Sequence, residues 1–197
     1  NEKNYNILKS LRSHGWSRNI ELNKKYLTKY KNIDHRFLFI NSGYNLRPTE
    51  IQSAIANNQF KRLKQFIKIR NNNRNLIISN LKKHKDWNNQ FKFVNLPKNI
   101  EPSWFGLPIL IDQKYKANKQ SFLKMLTKQA IENRPILSGN FANQPSTFLY
   151  NLNPKKEKFK NAQVIEDLGF FIGLHTQKLL LKDAKYLANT LLKINRF

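Results

Sequence analysis

The chain of 197 residues contains no cysteine. That excludes a disulfide framework and a thiolate metal site. Its four histidines, His14, His35, His84 and His175, are scattered, and no pair has the short spacing of a zinc motif. No apolar run reaches the length of a membrane span. No signal-peptide pattern opens the sequence, so the cytoplasm is the expected compartment. No Gly-rich phosphate loop, Gly-x-Ser-x-Gly elbow or His-Glu-x-x-His pair occurs. Glycine is scarce, with six residues, and acids are few, with 12 against 36 lysines and arginines. The first residue is Asn1 rather than Met, which reads as a fragment.

What is present is a foldable, basic chain. Hydrophobic residues make up 40% and aromatics 12%, which argues against disorder. A chain of this length buries roughly 70% of its unfolded surface, enough for one domain or one and a fraction. The formal charge of +24 admits a nucleic-acid-binding module. It equally fits an AT-rich coding bias, since lysine and asparagine dominate together and the lysines are spread along the chain. No RNA-recognition, helix-turn-helix or zinc pattern adds to the charge, so no specific nucleic-acid partner and no membrane are expected.

The central stretch is Gly43-Tyr44-Asn45-Leu46-Arg47-Pro48-Thr49-Glu50-Ile51-Gln52. Gly43 permits backbone angles other residues avoid. Pro48 suits the first turn of a helix, and Glu50 faces the positive end of its dipole. Tyr44 and Asn45 therefore stand at a turn before a stiff rod, placed to meet a ligand or a second subunit. From 48 to about 84, Ile51, Ile55, Leu63, Phe66, Ile67, Ile77 and Leu81 recur at helical steps. Polar Gln59, Arg70 and Arg74 interrupt the stripe, which predicts a bend or passage from one globule into another.

Upstream, Tyr5, Leu8 and Leu11 predict a helix ending near Ser13, stopped by a left-handed Gly15. His14, Trp16 and Arg18 form a cation and aromatic cluster able to hold an anion, or a helix cap with its Trp folded onto the core. Residues 24–31 read as a solvated basic loop. Downstream, strands are expected at 91–95 and 103–111, with Pro108 marking a bulge or an edge. An amphipathic helix at 118–131 buries Phe122, Met125, Leu126 and Ile131, Met125 as packing.

Residues 133–141 read as a short strand entering a Ser-Gly-Asn turn. Arg134 can fork onto a phosphate or carboxylate, or pair with Glu132. Ser138, Asn140 and Gln144 offer neutral groups suited to sugar hydroxyls. Residues 154–160 read as a basic loop, 170–175 as a buried strand, and Leu180, Ala184, Leu187, Leu191 and Ile194 as a closing helix. Glu166 and Asp167 read as solvated or as a helix cap. From 86 onward the order strand, strand, helix, strand, strand, helix gives a small α+β layer.

In this order the motifs resemble the DegT/DnrJ/StrS family of pyridoxal-phosphate (PLP) sugar aminotransferases and 3-dehydrases. Leu11-Arg12-Ser13-His14-Gly15-Trp16 resembles the segment after the family's PLP lysine. Gly43-Tyr44-Asn45 with Thr49 and Gln52 resembles its signature turn and helix. Ser103-Trp104-Phe105-Gly106-Leu107-Pro108-Ile109 resembles the first strand of its small domain. Arg134-Pro135 through Gly139-Asn140 and Gln144-Pro145 looks most like the 4-keto-6-deoxyhexose 3-dehydrases.

The resemblance implies an α/β fold class, the C-terminal part of a fold-type I PLP-dependent transferase. Residues 1–45 would be the tail of the large domain, 46–84 a connecting helix, and 85–197 the small α+β domain. It implies a homodimer with active sites at the interface and PLP as cofactor, passing through pyridoxamine 5'-phosphate during turnover. Asn45 would bind the PLP phosphate of the partner subunit. His14, Arg18, Tyr44, Arg134, Ser138 and Asn140 would lie near a nucleotide-linked keto sugar, in a pathway to deoxysugars and surface polysaccharide. The segment carrying the family's lysine, or the histidine that acts as base in the dehydrases, lies upstream of the residue matching Leu11. This chain does not contain it, so the chain alone is expected to be inactive; transamination and 3-dehydration both stay open, with a non-catalytic dimerising remnant as the alternative.

Overall fold

A computed structural model describes residues 1–18, 20, 24–149 and 159–197. Most of the predicted basic loop at 154–160 lies outside the described residues. The chain divides into two compact units, Asn1–Lys61 and Arg62–Phe197.

In the first unit, α1 (Glu2–Leu11) is capped by Asn1, whose side chain accepts from the Asn4 N–H. α2 (Lys24–Lys29) replaces the expected basic loop. Its sequence, KKYLTK, has three lysines and a leucine, all of good helix propensity. A 3-10 turn, His35–Phe37, is capped by Asp34. The segment after α1 is laced to the segment before the long helix. His14 N donates to Tyr44 O at 2.8 Å, Tyr44 N to Leu11 O at 2.6 Å, and Leu46 N to Arg12 O at 2.9 Å.

Glycines make that approach possible. Gly15 has φ +86, as expected, and a Cβ there would lie 1.5 Å from Asn41 O. Gly43 has no positive φ. Its reason is space rather than angle: a Cβ would sit 2.4 Å from Gly15 N and 2.5 Å from Leu11 O.

The long helix α3 (Glu50–Lys82) runs unbroken from the first unit into the second. Thr49 and Gln52 form a reciprocal capping box: Thr49 N donates to Gln52 Oε1 at 2.9 Å, and Gln52 N to Thr49 Oγ1 at 3.3 Å. The box starts the helix after Pro48, so the proline, expected within the first turn, stands just before it. The polar interruptions are anchors. Arg70 Nε donates to Leu174 O, Asn71 Nδ2 to Pro102 O, and Arg74 Nη2 to Val94 O. Arg74 also lies 4.7 Å from the Trp104 ring centroid.

The second unit is a four-stranded antiparallel sheet in the order β1-β2-β4-β3, made of Phe91–Phe93, Gly106–Ile111, Gly169–Gly173 and Asn133–Arg134 respectively. Leu107 stands opposite Ile172, Ile109 opposite Phe170, and Arg134 opposite Phe171. The alternate residues Leu107, Ile109, Ile111, Phe170 and Ile172 enter one core. Into it also pack Ile77 and Leu81 of α3, Phe122 and Leu126 of α4 (Lys119–Lys128), and Leu191 of α7 (Leu181–Leu191). Each fully buried side chain of this size contributes about 1.5–3 kcal/mol.

Pro108 lies in a strand flanked by β1 and β4, yet at a local edge of the sheet, one of the two places expected for it. The pairing of β1 ends at Ile109, so at Pro108 only β4 is a neighbour and no ladder bond to β1 is lost. The expected order lacked α5 (Ser146–Leu149) and α6 (Lys160–Leu168), which intervene between β3 and β4. The short apolar stripe of α6, Ile165 and Leu168, directly precedes the strand's own run, which masks its helical period.

Candidate functional site

Residues singled out by sequence line a notch in the first unit and two separate cavities in the second. In the first unit, Trp16 is the organiser. Its Nε1 donates to Arg36 O at 2.6 Å, and its ring stacks near Phe37 and Phe39. The guanidinium carbons of Arg18 and Arg47 lie 5.2 and 5.6 Å from the Trp16 ring centroid. Cation–π contact of this kind contributes about 0.5–1 kcal/mol at exposed positions, so the two guanidinium groups are oriented before any ligand arrives.

Around them is a notch of about 190 Å³, lined by Lys9, Arg12, Ser13, Trp16, Arg18 and Arg47. Four cations share it, and no carboxylate lines it among the described residues. A unit charge 4 Å from another gains about 1 kcal/mol in water and about 4 kcal/mol at an effective dielectric of 20. Such a notch selects for a multiply charged anion.

Arg18 is in the notch; His14 and Tyr44 are not among its lining residues. His14 is exposed, at φ 61, and its backbone N–H holds the Tyr44 carbonyl. Asn45 pairs by its backbone with Ser13, one wall of the notch, while its exposed side chain makes no hydrogen bond among the described residues. Arg47 and Arg12 were not singled out. Arg47 was legible, since it is the arginine of the Gly-Tyr-Asn-x-Arg run; Arg12 enters only because the backbone from 11 to 15 is laced to the turn.

The second site surrounds the Ser138-Gly139-Asn140 turn. A cavity of about 480 Å³ is lined by residues including Ile136, Ser138, Gly139, Asn143 and Glu166. Ser138 is half-buried and makes no hydrogen bond among the described residues. Asn140 is only 1% exposed. Its Nδ2 donates to Gln163 Oε1 at 3.0 Å and its Oδ1 accepts from Ala142 N at 3.1 Å. It shapes the turn from beneath, while Ser138 stays open.

Arg134 lines a different cavity of about 550 Å³, together with Arg70, Phe105, Glu132, Phe171 and His175 among others. It donates Nε and Nη2 to Glu132 Oε1, at 2.9 and 2.6 Å. Both side chains are exposed, so the pair contributes at most about 1 kcal/mol and yields readily to a ligand.

Glu166 and Asp167 are neither idle nor caps. Glu166 Oε2 accepts from Asn140 N at 2.7 Å, and Oε1 from Asn143 Nδ2 at 2.9 Å. Asp167 accepts from Lys116 Nζ at 2.6 Å and from Gln163 Nε2 at 3.0 Å. Those two hydrogen bonds, Lys116 first, hold the Asp167 carboxyl below the usual carboxylate range. Lys119 donates to Glu166 O at 2.8 Å, and burial pushes its ammonium pKa down. Among the described residues no group of acids, histidines or cysteines could hold a metal ion, and no helix is long and apolar enough to cross a membrane.

Comparison with known proteins gives a consistent picture. The model of the DegT/DnrJ/EryC1/StrS aminotransferase family matches residues 1–191. GDP-4-keto-6-deoxy-D-mannose 3-dehydratase of Escherichia coli O55:H7 is 31% identical over 194 residues, 96% of this chain and 48% of that protein. The enzyme of the same name from Yersinia pseudotuberculosis is 32% identical over 197 residues, 98% of this chain and 48% of that protein. The solved E. coli GDP-4-keto-6-deoxy-D-mannose-3-dehydratase with bound hydrated PLP superposes at a TM-score of 0.73 with 27% identity, covering 97% of this chain and 48% of that one. Helicobacter pylori PseC, an aminotransferase of pseudoaminic acid biosynthesis, shares the fold at a TM-score of 0.74 with 22% identity, over 96% of this chain and 46% of that one. The chain spans about half the length of the curated relatives it matches.

Proposed function

The chain belongs to the DegT/DnrJ/EryC1/StrS aminotransferase family, and from that premise we propose that it serves a PLP-dependent enzyme acting on a nucleotide-linked 4-keto-6-deoxy sugar, with 3-dehydration as the reaction. The observation that carries the reading is the cationic notch walled by Ser13, the residue whose backbone pairs with Asn45. A nucleotide diphosphate presents the charge complementary to Lys9, Arg12, Arg18 and Arg47, none of which pairs with a carboxylate among the described residues. The 3-dehydratase names of the two relatives above 30% identity favour dehydration over transamination.

The chain's own groups fit the cofactor where they can be tested. The free amide of Asn45 is a donor of the kind a phosphate takes, held on a backbone braced by Ser13. In this reading it reaches the PLP phosphate of a partner subunit in a homodimer. When bound, the cofactor supplies the electron sink for bond cleavage beside the keto carbon. Ser138 offers a hydroxyl to the sugar, Arg134 exchanges Glu132 for a ligand anion, Asn140 fixes the turn, and His14 and Tyr44 border the notch region through their backbone link.

Residues 1–45 are read as the tail of a larger domain, 46–84 as its connecting helix and 85–197 as the small domain. In the first unit, Leu38 is the one described hydrophobic residue counted as buried, while Tyr5, Leu8, Phe37, Leu46, Ile51 and Phe60 are exposed. A unit with so little core of its own needs a further body to cover it.

Titrating GDP onto the chain tests the notch. Binding weakened at least tenfold by Arg47→Ala and by Arg12→Ala, and unchanged by Lys64→Ala, supports the reading. Equal loss in all three variants refutes it, because the whole basic surface would then be responsible.

A further inference from the structure

We propose that Glu166 is the positioning residue of the Ser138-Gly139 turn, a role that rests on the reading of this turn as a sugar-binding element. The turn is built against this one side chain. Gly139 has φ +67, and a Cβ there would lie 2.9 Å from Cβ, Cγ and Oε2 of Glu166. The glycine thus lets the backbone lie directly on the Glu166 stem. One carboxylate oxygen takes the Asn140 N–H at 2.7 Å, a short charge-assisted bond, and the other takes Asn143 Nδ2 at 2.9 Å.

The remaining amides are held in one sense by the second carboxylate. Asp167 Oδ1 accepts from Gln163 Nε2, which turns Gln163 Oε1 toward the loop. That oxygen accepts from both Asn140 Nδ2 and Asn143 Nδ2, at 3.0 Å each. Asp167 is itself fixed by Lys116, and the Glu166 carbonyl by Lys119. Each donor therefore meets an acceptor, and a single arrangement satisfies the set. Ser138 stands outside the set, on the backbone that the set fixes, and its half-buried hydroxyl makes no hydrogen bond among the described residues.

Replacing the carboxylate by an amide distinguishes positioning from mere support. Glu166→Gln keeps the stem under Gly139 and one acceptor oxygen, but it presents an N–H to one of two donors. Glu166→Ala removes both acceptors.

Amide exchange on the chain alone reports the turn. The Asn140 N–H is expected to exchange at least tenfold faster in Glu166→Ala than in wild type, with Glu166→Gln between them. In the PLP-loaded enzyme, Glu166→Gln is expected to raise KM for the nucleotide sugar about tenfold, with kcat within about twofold and PLP affinity unchanged.

Unchanged Asn140 exchange in Glu166→Ala overturns the proposal. So does unchanged KM in Glu166→Gln, or a parallel loss of kcat, PLP affinity and thermal stability, which is the signature of general support. Wild-type enzyme inactive on every nucleotide-linked keto sugar overturns the functional reading and this role with it, and it is recognised without any variant.

Discussion

Asn73 is the most informative position for the fold. It sits in the middle of α3, in a run of three asparagines, and is only 4% exposed. Its Nδ2 donates to Gln177 O at 2.8 Å and His175 O at 3.2 Å, and its Oδ1 accepts from Leu179 N at 2.9 Å. One side chain therefore fastens the segment between β4 and α7, part of which walls the cavity at Arg134. Each bond is worth about 1 kcal/mol net. His175 and Gln177 are exposed, so water can reach their carbonyls and the extra cost of an unmet buried group is small. Against a loss of about 3 kcal/mol, alanine in place of asparagine recovers about 0.6 kcal/mol of helix propensity. Asn73→Ala should therefore destabilise the second unit by about 2–3 kcal/mol. Its neighbour Asn72 is exposed, and Asn72→Ala should be neutral or slightly stabilising. Denaturant unfolding followed by tryptophan fluorescence separates the two. Equal effects at 72 and 73, or a loss under about 1 kcal/mol at 73, would refute the staple.

Further outcomes follow from other sites. Gly106→Ala should destabilise by more than 1 kcal/mol, since its Cβ would lie 2.5 Å from the Phe171 ring and 2.9 Å from Ile172 O, whereas Gly173→Ala, which meets nothing within 4 Å, should gain about 0.5 kcal/mol; chemical denaturation reads both. Phe122→Ala, at a fully buried site between β-sheet and helices, should cost about 3–5 kcal/mol in the same assay. The Asp167 carboxyl is held low, so its ionised form favours the fold; this stability is complete above the ordinary carboxylate range and is lost as pH falls through the lowered folded value. Melts between pH 6 and pH 2 should therefore show wild type losing more Tm toward the acid end than Asp167→Asn does.

Much of the fold was legible, because α3, α4 and α7 carry long helical stripes and β2 and β4 carry compact apolar runs. The Thr49–Gln52 box and the left-handed Gly15 could be read from residue type and spacing. What stayed hidden depends on tertiary partners. Gly43 serves a close approach to Gly15 that no local rule shows. Pro108 is tolerated because β1 ends one residue short of it. Arg70 and Arg74 read as interruptions of a helical stripe until their carbonyl partners are placed. At the sites, Arg18, Arg134 and Ser138 line the cavities, but Asn140 lies beneath its turn. Glu166 reads in sequence as solvated or a cap, since its partners Asn140 and Asn143 arrive from 26 and 23 residues away.

Product analysis tests the central claim most directly. The chain, joined to a PLP-bearing part of the fold, is given PLP, glutamate and GDP-4-keto-6-deoxymannose, and the sugar is examined by mass spectrometry and NMR. The account predicts a GDP-sugar that has lost its 3-hydroxyl, with turnover abolished by Asn45→Ala through loss of PLP affinity. An unaltered sugar, with PLP retained equally by wild type and Asn45→Ala, would contradict it.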